Sequence, residues 1–145
     1  MIQLFSDDNK IYSVDMMIAY IHMFKPLKVK INIQDYIHTL SFKCWGTSSH
    51  PITPNMVINN PNKYKNEYSR INDSDFSFPI IIHNHNIVDG VHRLTKAYIE
   101  NKKEINAYVF DKELFKKFLI DKNNTYDKVD LKLYEYIELF YKRFK

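Results

Sequence analysis

The chain has 145 residues, one cysteine and a formal net charge of +4, which gives length enough for a single domain with a real core and too little cysteine for a disulfide framework. A hydrophobic content of 45% with 15% aromatics excludes a disordered chain. No apolar run reaches the length of a membrane span, and the N-terminus, Met1-Ile2-Gln3-Leu4-Phe5-Ser6-Asp7-Asp8, lacks the basic flank of a signal peptide, so a cytoplasmic protein without a membrane partner is predicted. The positive charge invites a nucleic-acid reading, but it is interspersed, with no basic block or arm, and DNA is not the favoured partner.

In chain order, Ser13 to Phe24 reads as a helix. Val14, Met17, Ile18, Ile21 and Phe24 recur at three- and four-residue steps, Ser13 supplies an N-cap, and Pro26 ends the element. Leu27 to Ile33 alternates apolar and polar residues, the period of a strand with one buried face. Ile33 to Leu40 reads as a short helix with Ile37 and Leu40 inward, followed by a turn at Cys44, Trp45 and Gly46. Thr53-Pro54 is a helix start that stops before Pro61, and residues 60–75 are polar and irregular or weakly helical.

Pro79 to His83 and Ile87 to Asp89 form two short strands around an Asn84-His85-Asn86 turn. A helix then runs from Gly90 to about Asn101. Glu104 to Phe110 is a strand with Ile105, Ala107 and Val109 on one face, and Lys112 to Ile120 is a helix. The last helix, about Tyr126 to Phe144, carries Val129, Leu133, Ile137, Phe140 and Phe144 as one stripe. Tyr134, Tyr141 and Leu131 lie off that stripe and read as a partner surface or homodimer seam, with packing within the monomer as the favoured alternative.

The chemistry concentrates at Val88-Asp89-Gly90-Val91-His92-Arg93-Leu94-Thr95, where a strand passes through one of only two glycines into a helix. Such a junction aims several free backbone N–H groups at one spot, which suits an anion. His92 and Arg93 in the first turn are costly against the helix dipole, and a bound phosphate or an acidic neighbour removes that cost. Arg93 suits phosphate because its planar fork binds two oxygens, with an internal salt bridge as the competing role. Asp89 reads as a general base, a metal-bridging carboxylate or an N-cap, and His92 as a phosphate contact or proton relay. Arg70, Asp73 and Asp75 form a second polar cluster in which a carboxylate holds Mg²⁺ or is a plain cap. His83-Asn84-His85 has no matching third ligand for a metal.

The order apolar strand, turn, Ile-Val-Asp-Gly-x-His-Arg-Leu, helix and alternating strand resembles the ParB/sulfiredoxin superfamily of nucleotide-binding domains. The resemblance spans about residues 12–110 and is specific across residues 79–110. It implies an α+β single domain over residues 1–145, a small mixed sheet flanked by helices, with a C-terminal helical extension from residue 111. It also implies that Gly90, Val91, His92 and Arg93, with Arg70, bind ATP or CTP. Asp89 and His92 then act in catalysis, Asp73 and Asp75 hold Mg²⁺, and a small molecule is the acceptor of a hydrolase or phosphotransferase. The sequence departs from relatives at Val91, where sulfiredoxins carry the reactive cysteine and the kinase-type motif carries a first histidine; Cys44 lies in a different element. Two alternatives remain: a DNA- or protein-binding module whose nucleotide site is structural or switch-like, and a metal-dependent ParB-like nuclease.

Overall fold

The computed structural model describes residues 3–121 and 133–144. Its elements run β1 (Leu4–Asp7), β2 (Lys10–Ser13), α1 (Val14–Phe24), β3 (Val29–Asn32), a 3₁₀ helix (Ile33–Ser41), β4 (Trp45–Gly46), β5 (Pro51–Ile52), α2 (Pro54–Asn59) and α3 (Lys65–Asp73). They continue with β6 (Ile80–His83), β7 (Asn86–Asp89), α4 (Val91–Ile99), β8 (Glu104–Val109), α5 (Lys112–Phe115), a 3₁₀ turn (Lys116–Phe118), β9 (Leu119–Asp121) and α6 (Leu133–Phe144). The class is α+β. Contacts group the chain into two compact units, one from Met1–Pro26 with Phe110–Lys145 and one from Leu27–Val109.

The first unit holds a three-stranded sheet of order β1-β2-β9. Asp8 and Asn9, both at positive φ, turn β1 into β2, the backbone that a two-residue hairpin loop requires. At the end of β2 the Ser13 hydroxyl accepts from the Met16 backbone N–H at 3.2 Å, the expected cap of α1. Lys25 in the left-handed region closes that helix just before Pro26. The core is aromatic: the Tyr12 and Phe115 rings sit 4.3 Å apart, and Phe118 packs against Phe110 and Phe144.

Residues 112–120 depart from the expected single helix. One turn of α5 tightens into 3₁₀ geometry and then extends as β9. That geometry buries both Phe115 and Phe118 and still pairs Leu119 with Tyr12. Of the expected terminal stripe, Phe140 is buried, Ile137 is exposed and Val129 lies outside the described residues; of the residues off it, Tyr141 is exposed and Leu131 lies outside the described residues.

The second unit is built on a four-stranded sheet of order β3-β8-β6-β7. Ile80, Ile81 and Ile82 of β6 are all at most 2% exposed, the signature of a strand covered on both faces. Asn84 and His85, again at positive φ, turn β6 into antiparallel β7. α4 then carries the chain over to β8, which runs parallel to β6. Leu94 and Ala97 of α4 pack on Ile80, Ile82, Ile105 and Ala107.

Three expectations change here. β3 is an edge strand paired only with β8: Leu27, before it, and Val29 are exposed, and of the alternating residues Ile31 and Ile33 alone reach the core. Residues 33–41 form a 3₁₀ helix, so the buried positions are Ile33, Tyr36 and Thr39 at steps of three, with Leu40, while Ile37 faces outward. Residues 65–73 are a full helix, α3, with Ile71 as its one buried residue. Thr53 caps α2 as expected, its hydroxyl accepting from the Met56 backbone N–H at 3.1 Å. No helix among the described residues is long and apolar enough to cross a membrane.

Candidate functional site

All of the site geometry lies in the unit of residues 27–109. β6 delivers the chain through the hairpin and β7 to Gly90, at φ 108°. A Cβ added at Gly90 would sit 2.5 Å from Ile80 Cγ2 and 2.8 Å from a terminal nitrogen of Arg93, so no other residue fits this close approach without displacing β6 or the guanidinium. No side chain caps α4. Its first-turn N–H groups therefore remain available to an anion.

A cavity of about 440 Å³ opens at this helix end and brings together six residues singled out in the sequence: Arg70, Asp75, Asp89, Gly90, His92 and Arg93. Val91 and Asp73 are not among its lining. The Val91 side chain packs on the aliphatic core, and the Asp73 carboxylate accepts from the Ser69 hydroxyl at 3.4 Å.

The two first-turn basic residues have acidic neighbours. An Arg93 terminal nitrogen donates to Asp89 Oδ2 at 3.1 Å, an i,i−4 pair with both side chains partly buried. This pairing engages Asp89 with Arg93, and no side chain caps the helix. The Arg93 Nε, by contrast, is buried without a hydrogen-bond partner, and its guanidinium carbon lies 5.9 Å from the centre of the Phe78 ring. His92 Nε2 lies 2.9 Å from Glu67 Oε2 on α3, and its ring stacks on Trp45 at 4.3 Å with an interplanar angle of 16°. The Asp89 carboxylate offsets the dipole cost of the Arg93 cation in the first turn.

Arg70, on the last turn of α3, is exposed and has no hydrogen bond or ion pair among the described residues. Asp75 folds its own loop, Oδ1 accepting from the Ser77 backbone N–H at 2.9 Å. That bond above all, with Lys96 and Arg93 nearby, holds its carboxyl below the usual range. Lys96 anchors the same loop by donating to the Ser74 carbonyl at 2.8 Å. Among the described residues no group of three His, Cys, Asp or Glu side chains is placed to hold a metal ion. A divalent cation here would have Asp75 as its protein carboxylate and draw its remaining ligands from phosphate and water. Cys44 is half-buried, its thiol donating to the Thr39 carbonyl and pushed up by burial, which makes it a poor nucleophile.

The sequence reading missed Glu67, Trp45 and Phe78. Glu67 reaches His92 across 25 positions and Trp45 across 47, and no local spacing announces either contact. Thr95, the last residue of the motif at residues 88–95, is fully buried and donates its hydroxyl to the Val91 carbonyl at 2.7 Å. Comparison of the chain with family models, with curated proteins and with solved structures gave no match.

Proposed function

We propose that this chain is a nucleotide-binding protein of ParB/sulfiredoxin-like fold that seats the phosphates of ATP or CTP at the N-terminus of α4 and acts there as a hydrolase or phosphotransferase. The observation that carries the reading is the 440 Å³ cavity at an uncapped helix end, lined by Arg70, His92 and Arg93. A phosphate there would meet the free N–H groups of α4, a guanidinium with an unsatisfied Nε and the unpaired Arg70. The succession β6, hairpin, β7, Gly90, α4, parallel β8 supports the fold part of the proposal. Catalysis would consist of positioning and charge neutralisation, with Mg²⁺ arriving on the phosphates.

One observation favours a second reading, a binding module in which the turn is scaffold. Arg93 and His92 already have carboxylate partners, so the unit is electrostatically satisfied at this turn without a ligand.

Thermal unfolding with ATP, ADP, CTP and GTP, each with Mg²⁺, separates the two. Under the nucleotide reading one nucleotide raises the midpoint, by the equivalent of about 2.7 kcal/mol at a hundredfold excess over Kd. Arg70→Ala reduces that rise without moving the ligand-free midpoint, and Arg93→Ala abolishes it. No rise with any nucleotide refutes the nucleotide reading and leaves the scaffold.

A further inference from the structure

We propose that Glu67 is the positioning residue of a proton-transfer pair at this cavity, fixing His92 so that its Nδ1 takes the proton from the water that attacks the terminal phosphate; the inference rests on the nucleotide reading above. The hydrogen bond itself sets which nitrogen is reactive. A carboxylate only accepts, so the 2.9 Å contact from His92 Nε2 to Glu67 Oε2 requires the ring proton on Nε2. The lone pair of the neutral imidazole is then on Nδ1.

Orientation comes from three separate elements. Glu67, on the first turn of α3, holds one edge of the ring. Trp45, on β4, lies flat against its face at 4.3 Å. The backbone of His92 is fixed by α4, whose Leu94 N–H closes on the Gly90 carbonyl at 2.9 Å. The His92 and Glu67 side chains are 28% and 16% exposed, so His92 reaches the cavity while its partner is largely withdrawn from water. A simple surface ion pair needs neither the flat stacking nor a place in the cavity lining. A base that must present one nitrogen needs both.

The step balances without a further reactant. The attacking water loses a proton to His92 Nδ1, and its oxygen bonds to the γ-phosphorus of ATP. The bond from that phosphorus to the β,γ-bridging oxygen breaks, and ADP leaves with the electron pair. Glu67 faces the imidazolium so formed, and the ring then returns its proton to solvent.

The test uses the whole chain with Mg-ATP as the probe. Ring ¹⁵N shifts of His92, assigned by their loss in His92→Gln, are read for wild type and for Glu67→Gln, alongside ATP-induced thermal stabilisation and ADP release. The expected result is an Nε2–H tautomer in wild type and a mixed tautomer in Glu67→Gln. The variant's kcat falls about tenfold or more, while KM and the ATP-induced stabilisation are kept. Glu67→Asp, which retains the charge, recovers part of kcat. An Nδ1–H tautomer in wild type, unchanged turnover in Glu67→Gln, or ATP binding without ADP release overturns the proton-transfer pair and leaves nucleotide binding standing. Absence of ATP stabilisation in wild type overturns the nucleotide reading, and the pair's chemical role with it.

Discussion

The chain builds the same local device twice and finishes it differently. In β1–β2–α1 and in β6–β7–α4, a hairpin turned by two residues at positive φ runs straight into a helix. At the first junction stands Ser13, fully buried, whose hydroxyl closes the helix end. At the second stands Gly90, which has no side chain to offer, and α4 begins uncapped beside a cavity lined with charged groups. One helix end is closed by its own chain, with the Val14 N–H donating to the Gln3 carbonyl and the Met16 N–H to the Ser13 hydroxyl. The other is left uncapped, and the Arg93 cation is placed there at an electrostatic cost that Asp89 offsets. The first junction is capped by a side chain, and the second is not.

The comparison breaks most sharply at Gly90. Gly90→Ala puts a methyl group against Ile80 at a φ that L-residues avoid, and the expected loss is about 3 kcal/mol from backbone strain and overpacking together. Urea unfolding measures it, and a loss under about 1 kcal/mol would mean that β6 yields easily and the junction is not tight. Ser13→Ala removes a cap from a site with space for the smaller side chain, and the same measurement should show about 1 kcal/mol, against a few tenths for Ser13→Gly.

The smallest effect appears at high pH. Burial, and then Asp7 and Asp8, raise the Tyr12 pKa above its ordinary 10.0. Unfolded tyrosine therefore ionises first, so this stabilisation is complete below pH 10 and is lost as pH rises through the folded value. Tyr12→Phe should flatten the alkaline decline only in part, because Tyr36 is raised as well, by burial and then by Asp35. An unaltered decline in Tyr12→Phe would assign it to other groups.

What could be read from the sequence follows from the range of the interactions. Both helix caps, the second hairpin, the Gly90 junction and β8 depend on neighbours within a few positions, and each was legible. The first hairpin escaped notice although Asp8-Asn9 is a turn pair, because its strands have four residues each and β2 is buried at three consecutive positions, so no alternation marks it. The 3₁₀ helix at residues 33–41 misled because its period of three was read as 3.6, which turned Ile37 inward and hid Tyr36. α3 was obscured by its polarity, with Ile71 its single buried residue. The site was legible as a set of residues, and six of them do line one cavity. Its wiring was not: Glu67 and Trp45 meet His92 only through the packing of α3 and β4.

The pairing of Trp45 with His92 also gives the site an optical reporter. Trp45 is the chain's one tryptophan, and its indole lies against the imidazole. Its emission therefore follows events beside His92 and in the unit of residues 27–109, whereas far-ultraviolet circular dichroism sums the helices and strands of both units. Coincident denaturation curves from the two signals would make the units one cooperative system, and an early loss of the tryptophan signal would mark the surroundings of the Trp45–His92 contact as the first part to open.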